Sequence, residues 1–308
     1  MRYLSKQFET EICKSYRSFL NQEWEKERSS ELFCVNYGKS EVSTSEKNIR
    51  RVISLAAQLG KRKIVAEVPS VDTMRIAKYY LANGVNRVCF EEMVNEHELE
   101  YLKRLGYFLG EGSQESNVAI LEPDEEDCRL FSKHGIPYHM LTNIGMMKYG
   151  FVDGDKIGCG RCPYEFLVLP SAVRLEPMTE QIVRQFAKQG GKVLLLGDRP
   201  MCKGKPAIAL NEGTCTFGQI AGAQIYRNKN TDTEIYTTYR SINEMQLLYV
   251  VNASIKREYE QTFDFGKQVN SFLKLDLLEL TAEQVPLTIK LGPAEDAVLL
   301  PYARKIEE

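Results

Sequence analysis

GKRKIVAEVPS (60–70) and NGVNRVCFEE (83–92) carry one pattern twice. Each has a turn with a glycine, a short apolar strand and a glutamate where the strand stops. Helices flank both: STSEKNIRRVISLAAQLGK (43–61) opens with Ser and Thr caps and closes at Gly60, and residues 71–83 and 95–110 follow the two strands. ELFCVNYG (31–38) reads as an earlier strand ended by glycine. Strands alternating with helices in this way predict parallel βα units. In a (β/α)8 barrel the chemistry sits at the C-terminal ends of the strands, which puts Glu67 and Glu91 where catalytic carboxylates belong. A barrel takes about 250 residues, and only about 110 precede the next change of pattern. Residues 1–112 are therefore expected to form part of a barrel, with three of its eight strands.

Outward from that segment, a long amphipathic helix is predicted over residues 3–28 from Leu4, Phe8, Ile12, Tyr16, Phe19, Leu20 and Trp24. Beyond it, NVAILEP, PYHMLT, YEFLVLPSA and KVLLLGDRP alternate with the helical stretches EEDCRLFSKHG and TEQIVRQFAKQGG. That predicts a flavodoxin-like, doubly wound domain over 113–223. From residue 224 short alternating runs take over: EIYTTYR, QLLYVVNAS, YEQTFDF, LKLDLLEL, VPLTIKL and DAVLLPY. Their spacing predicts a β-sandwich over 224–308. The expected fold class is thus α/β plus all-β.

Composition narrows the function. The 308 residues, 43% of them hydrophobic and 27% charged, suit two or three ordinary globular domains. A net charge of −2 argues against a dedicated nucleic-acid binder. No apolar run is long enough to span a membrane, and the N-terminus lacks the apolar centre of a secretion signal. Eight cysteines without regular spacing suggest reduced thiols, so a cytoplasmic setting is expected.

Several residues invite chemistry. Glu67 after Ile64-Val65-Ala66 fits a general base or nucleophile of glycoside cleavage, and its competing reading is a solvated charge at a strand end. Glu91 and Glu92 read the same way, less distinctively, since adjacent acids often leave a sheet. In the 113–223 block a cysteine nucleophile would stand at a strand-to-helix turn, but Gly197, Asp198 and Arg199 stand there, and Cys202 has no local histidine to serve as base. Cys159 and Cys162 form a lone CxxC, two ligands short of a structural zinc site. The acidic run Glu122–Asp127 reads as a helix N-terminus, with calcium as the alternative. Neither a metal nor a cofactor is expected. Tyrosines 226, 236, 239, 249 and 259 could form a face for stacking sugars or could pack across strands.

In order along the chain these segments resemble the C-terminal half of family-106 glycoside hydrolases, the α-L-rhamnosidase group. The matching residues are Gly60-Lys61 with Val65-Ala66-Glu67, Gly84-Val85-Asn86-Arg87, and Tyr101-Leu102-Lys103-Arg104 leading into Asn117–Leu121. Further on they are Tyr164 with Phe166–Pro170, and Gly190-Gly191-Lys192. Tyr239-Arg240, Val251–Ser254 and Leu291-Gly292-Pro293 with Glu295 complete the series. The resemblance implies a glycosidase whose middle domain is amidotransferase-like and non-catalytic, acting on carbohydrate, rhamnosides in particular. It also implies that Glu67 is the general base of an inverting mechanism. The family's usual histidine after the second strand is replaced here by Glu91, and Val68-Pro69-Ser70 replaces its aromatic and threonine. The family's general acid lies on an earlier strand, so the chain is expected to be a C-terminal part or a degenerate form. Alternatively it is a non-catalytic carbohydrate-binding or assembly subunit, completing its barrel as a homo-oligomer or with a partner chain. Left alone, Val65, Val88 and Phe90 would lose the opposite barrel wall, forfeiting roughly 1.5–3 kcal/mol for each large apolar side chain.

Overall fold

The computed structural model describes residues 32–35, 45–60, 63–68, 70, 72–90, 95–111, 116–171, 173–206, 214–231, 234–242, 245–266 and 269–302. The helix expected over residues 3–28 lies outside them. The chain mixes helix and sheet throughout.

The first part runs β1 (Leu32–Val35), α1 (Glu46–Gln58), β2 (Lys63–Val68), α2 (Thr73–Ala82), β3 (Arg87–Phe90) and α3 (Glu96–Glu111). Ser45 starts α1 by accepting from the Asn48 amide at 3.3 Å, and Gly60 ends it at φ 70°. The three strands are parallel in the order β1-β2-β3, with β2 central. Ile64, Ala66 and Val68 of β2 share a core with α1, α2 and α3. Val88 and Phe90, in register with Ala66 and Val68, pack against that same core. Val65 is buried outside it. The expectation that Val65, Val88 and Phe90 share one inner face is therefore corrected. Side chains alternate along a strand, and Val65 is in register with Arg87, one residue away from Val88.

The second part contains β4 (Val118–Leu121), α4 (Glu125–Lys133), β5 (His139–Leu141), α5 (Asn143–Tyr149), β6 (Gly150–Asp153), β7 (Lys156–Cys159) and β8 (Cys162–Tyr164). It continues with β9 (Phe166–Pro170), α6 (Pro177–Lys188), β10 (Lys192–Leu196), the hairpin β11 (Met201–Cys202) and β12 (Lys205–Pro206), and α7 (Phe217–Gly222). β10-β9-β4-β5 form a parallel sheet. Its strands are apolar at consecutive positions because both faces are covered, one by α6 and the other by α4 and α7. The antiparallel meander β6-β7-β8 was not foreseen. Its strands are three or four residues long, with turns at Gly154 and Gly160, too short to show alternation. α1 shields the β5 edge: Ser54 Oγ accepts from the Met140 amide at 2.7 Å, and the Gln58 side chain donates to the Met140 carbonyl at 2.8 Å.

The third part comprises β13 (Arg227–Asn228), β14 (Ile235–Ile242), β15 (Met245–Asn252), β16 (Tyr259–Asp264), β17 (Ser271–Asp276), β18 (Thr281–Val285), β19 (Thr288–Leu291) and β20 (Asp296–Tyr302). Two antiparallel sheets, β14-β15-β20-β17-β18 and β13-β16-β19, enclose a core of Leu248, Val250, Phe263, Phe272, Leu291 and Leu299. The far face of the larger sheet, with Leu247, Tyr249, Val251 and Val298, joins the core of α1–α3. β15 is buried on both faces. LKLDLLEL is corrected from one strand to a strand and a turn. Asp276 Oδ1 accepts from the amides of Leu278 and Glu279 at 2.9 and 3.0 Å, and Leu280 lies at φ 55°.

Candidate functional site

Glu67 is the penultimate residue of the central strand β2, so it stands at that strand's C-terminal end, in register with Cys89. At the opposite end of β3, Asn86 fixes the two strands: its Oδ1 accepts from the Ile64 amide at 2.9 Å and its own amide donates to the Ile64 carbonyl at 3.2 Å. Buried Arg240 donates to the Gly84 carbonyl at 3.3 Å and holds the same loop from the antiparallel sheet. The N-terminal ends of β2 and β3 are thus tied to each other and to the antiparallel sheet. The Glu67 side chain, Glu91 and Glu92 lie outside the described residues. β3 and α3 line an open cleft of about 460 Å³ that includes Arg87, Cys89, Phe90, Lys103 and Tyr107. Sequence reasoning missed this cleft, whose signal is Gly106 and Gly110 on one side of α3.

Cys159 and Cys162 face each other across the tip of the β7–β8 hairpin. The tip is seated on α1, with the Arg161 amide donating to the Gln58 carbonyl at 2.9 Å. Burial pushes the Cys159 thiol up to about 12 and raises Cys162 as well. Redox or metal chemistry needs the thiolate, which these surroundings oppose. No group of three His, Cys, Asp or Glu residues that could hold a metal occurs among the described residues. In the acidic run, Asp124 and Asp127 each accept from the other's amide, at 2.9 and 3.0 Å, and form a capping box. Helix capping accounts for their charges.

At the end of β10, Gly197 adopts φ 132° and the Asp198 amide donates to Ser171 Oγ at 3.2 Å. Cys202 lies beyond that turn, on β11. Residual desolvation and the Glu180 carboxylate raise its thiol. An activated nucleophile needs the reverse. His139 is buried, its Nδ1 3.1 Å from the Tyr164 hydroxyl, and burial lowers it to about 4 with help from Arg50. The His134 ring packs edge-on against Phe217, centroids 5.0 Å apart.

The tyrosines do not share one face. Tyr236 packs edge-on against Tyr79 of α2, at 4.7 Å, and the Tyr249 hydroxyl donates to Asp296 at 2.8 Å. Tyr259 bonds Glu234. Only Tyr226 and Tyr239 meet, tilted by 36° with centroids 5.6 Å apart. They line a cavity of about 160 Å³ with Asn117, Pro137, Gln224, Ile225 and Ser241.

No family model matches the sequence, and no curated protein matches it either. Solved structures do match. The fold is similar to a rhamnosidase from Novosphingobium sp. PP1Y, with a TM-score of 0.68 and 11% identity, over 92% of this chain and 36% of that one. It is similar to an apo exo-carrageenase from Bacteroides ovatus, with a TM-score of 0.57 and 10% identity, over 90% of this chain and 49% of that one. A β-galactosidase from Bacillus circulans sp. alkalophilus gives a TM-score of 0.53 and 12% identity, over 88% and 60%. The fold is one found in glycoside hydrolases. This chain spans 36% of the length of the first and 49% of the second. No helix among the described residues is long and apolar enough to cross a membrane.

Proposed function

We propose that this chain is a glycosidase-related protein of the α-L-rhamnosidase type, a C-terminal part or a degenerate form of such an enzyme. In this reading residues 1–112 contribute three strands to a (β/α)8 barrel. Residues 113–223 form a non-catalytic, amidotransferase-like domain, and residues 224–308 form a β-sandwich. The observation that carries the reading is Glu67 at the C-terminal end of a central parallel strand, in a fold that aligns with a rhamnosidase over 92% of the chain. Glu67 acts as general base on water, and Glu91 is the second candidate carboxylate. An inverting pair stands roughly 6.5–9.5 Å apart with a water between them, and in this reading the general acid comes from an earlier strand of the barrel.

The test is hydrolysis and binding of para-nitrophenyl α-L-rhamnoside. The chain alone is expected to release no nitrophenol, and Glu67→Ala is expected to weaken binding of the rhamnoside. Turnover by the chain alone that disappears in Glu67→Gln would place the general acid within these 308 residues and end the incomplete-barrel reading. Failure to bind any aryl glycoside would refute the glycosidase reading itself.

A second reading is a non-catalytic assembly subunit that completes its barrel with another chain. It is favoured by β3, which pairs only with β2 among the described residues and so leaves an open edge. Sedimentation showing a monomer at all concentrations, without a co-purifying chain, would refute it.

A further inference from the structure

We propose that the cavity between the β4–β5 sheet and β14 is a binding site for one neutral sugar ring, separate from the Glu67 strand end. Its wall is assembled from three places. Asn117 and Pro137 lie just before β4 and β5, Gln224 to Tyr226 follow α7, and Tyr239 and Ser241 project from the same side of β14. Asn117 and Pro137 mark the N-terminal ends of their strands, the end opposite to the usual ligand crevice of a parallel α/β sheet. The site therefore owes nothing to that crevice.

Three features select the ligand. Its size, about 160 Å³, suits one six-membered ring, since about 150 Å³ suffices for benzene. Its lining is uncharged and mixed: two tyrosine rings, Ile225 and Pro137 supply apolar surface, and Asn117, Gln224 and Ser241 supply amide and hydroxyl groups. An ionic ligand would find no counter-charge, and a hydrocarbon would leave the polar groups unmatched. The third feature is the Tyr239 hydroxyl, which is buried without a hydrogen-bond partner. Buried hydroxyls in folded proteins are bonded to protein or water in the great majority of cases, and this one, closed to solvent in the cavity wall, gains a partner when the Tyr239 ring turns toward a bound ligand. The Tyr226 hydroxyl is already committed to Thr237 Oγ1 at 2.8 Å, and Gln224 Nε2 to Asn117 Oδ1 at 3.1 Å, so both groups are held in fixed positions. A ring that is apolar on its faces and hydroxylated at its rim meets all three conditions.

The experiment is ligand-observed saturation-transfer NMR on the whole chain with methyl α-L-rhamnoside and methyl β-D-galactoside. At least one glycoside is expected to bind. Tyr239→Phe, which removes only the hydroxyl, should weaken binding roughly 2- to 10-fold. Ser241→Trp should abolish binding by filling the cavity, at unchanged melting temperature. Met178→Ala, at an exposed position on α6 away from the cavity, is the control and should leave this binding as it is. Absence of binding by either glycoside overturns the proposal. So does binding that Glu67→Ala removes and the two cavity variants do not touch, a result that would leave the Glu67 reading standing. Self-association of the chain that Ile225→Lys abolishes would assign the cavity to a protein contact and overturn the proposal as well.

Discussion

Asp296→Ala should cost about 3–5 kcal/mol, the usual loss when one partner of a buried ion pair is removed. The Asp296 side chain is 6% exposed, and its Oδ1 lies 2.7 Å from Lys78 Nζ, whose own side chain is 16% exposed. Its Oδ2 accepts from the Tyr249 hydroxyl at 2.8 Å and from the Tyr101 hydroxyl. One carboxylate thus ties α2 and α3 to the face of the five-stranded sheet. Burial, reinforced by Asp296 itself, holds both phenols far above their ordinary range, so they remain donors at every working pH. Without the carboxylate, Lys78 keeps only the Ala294 carbonyl at 3.4 Å and the Tyr101 ring at 5.5 Å. Two hydroxyls are left unsatisfied as well. Asp296→Asn retains an acceptor and should lose less. Urea unfolding combined with hydrogen exchange in α2 and β20 would read the loss locally. Lys78→Met in the Asp296→Ala background should recover part of it, because the stranded charge is then gone. A loss below about 1 kcal/mol, the range of an exposed pair, would refute the reasoning.

His139 gives a pH prediction. Burial, and then Arg50, lower it from 6.5 to about 4. Between those values the unfolded chain binds a proton that the folded chain refuses. Stability from neutral His139 is therefore complete above pH 6.5 and is lost as pH falls toward 4, by up to about 3 kcal/mol. Glu46, raised above 4.5 by burial, takes up its proton earlier in the folded chain and offsets part of the loss. Melts from pH 7 to 4 should show a slope that His139→Gln removes, and an equal slope in the variant would refute the assignment. Ser54→Ala should cost about 1–3 kcal/mol by leaving the Met140 amide without an acceptor, and faster exchange at that amide would report it. Metal analysis should return no zinc, and thiol labelling at pH 7 should find Cys202 no faster than an ordinary thiol. A stoichiometric zinc lost in Cys159→Ser would contradict the first, and a hyper-reactive Cys202 the second.

Local rules made the helices and the longer strands legible. Ser45 and Gly60 bound α1, the acids of 124–127 start α4, and the apolar runs at 118–121, 166–170 and 192–196 become strands covered on both sides. What escaped was whatever depends on which neighbour covers a face. β18, TAEQV, is a largely exposed edge on which only Val285 packs against the core, too little to show alternation. The five tyrosines look alike in sequence, yet Tyr236 and Tyr239 sit three residues apart on one strand and so face opposite ways. The Tyr226–Tyr239 cavity needs Asn117 and Pro137 from more than 85 residues away, a juxtaposition no local pattern encodes.

Covered faces also change the energetic argument for an incomplete barrel. Read from sequence, three parallel strands stand alone and lose the burial of Val65, Val88 and Phe90. In the fold the helix side of the sheet is not alone. Val88 and Phe90 pack into a core that continues through α2 and α3 to Leu247, Tyr249, Val251 and Val298 of the antiparallel sheet. That sheet is apolar on both faces because it closes two cores, one of them belonging to the helices of the first part. The two parts therefore stabilise each other without any further barrel strand. What the proposed barrel would add lies at the two edges of this sheet, β1 and β3, each of which pairs only with β2 among the described residues. The proposed completion of a barrel would therefore add little to the folding of the described residues, whose helix side is already covered.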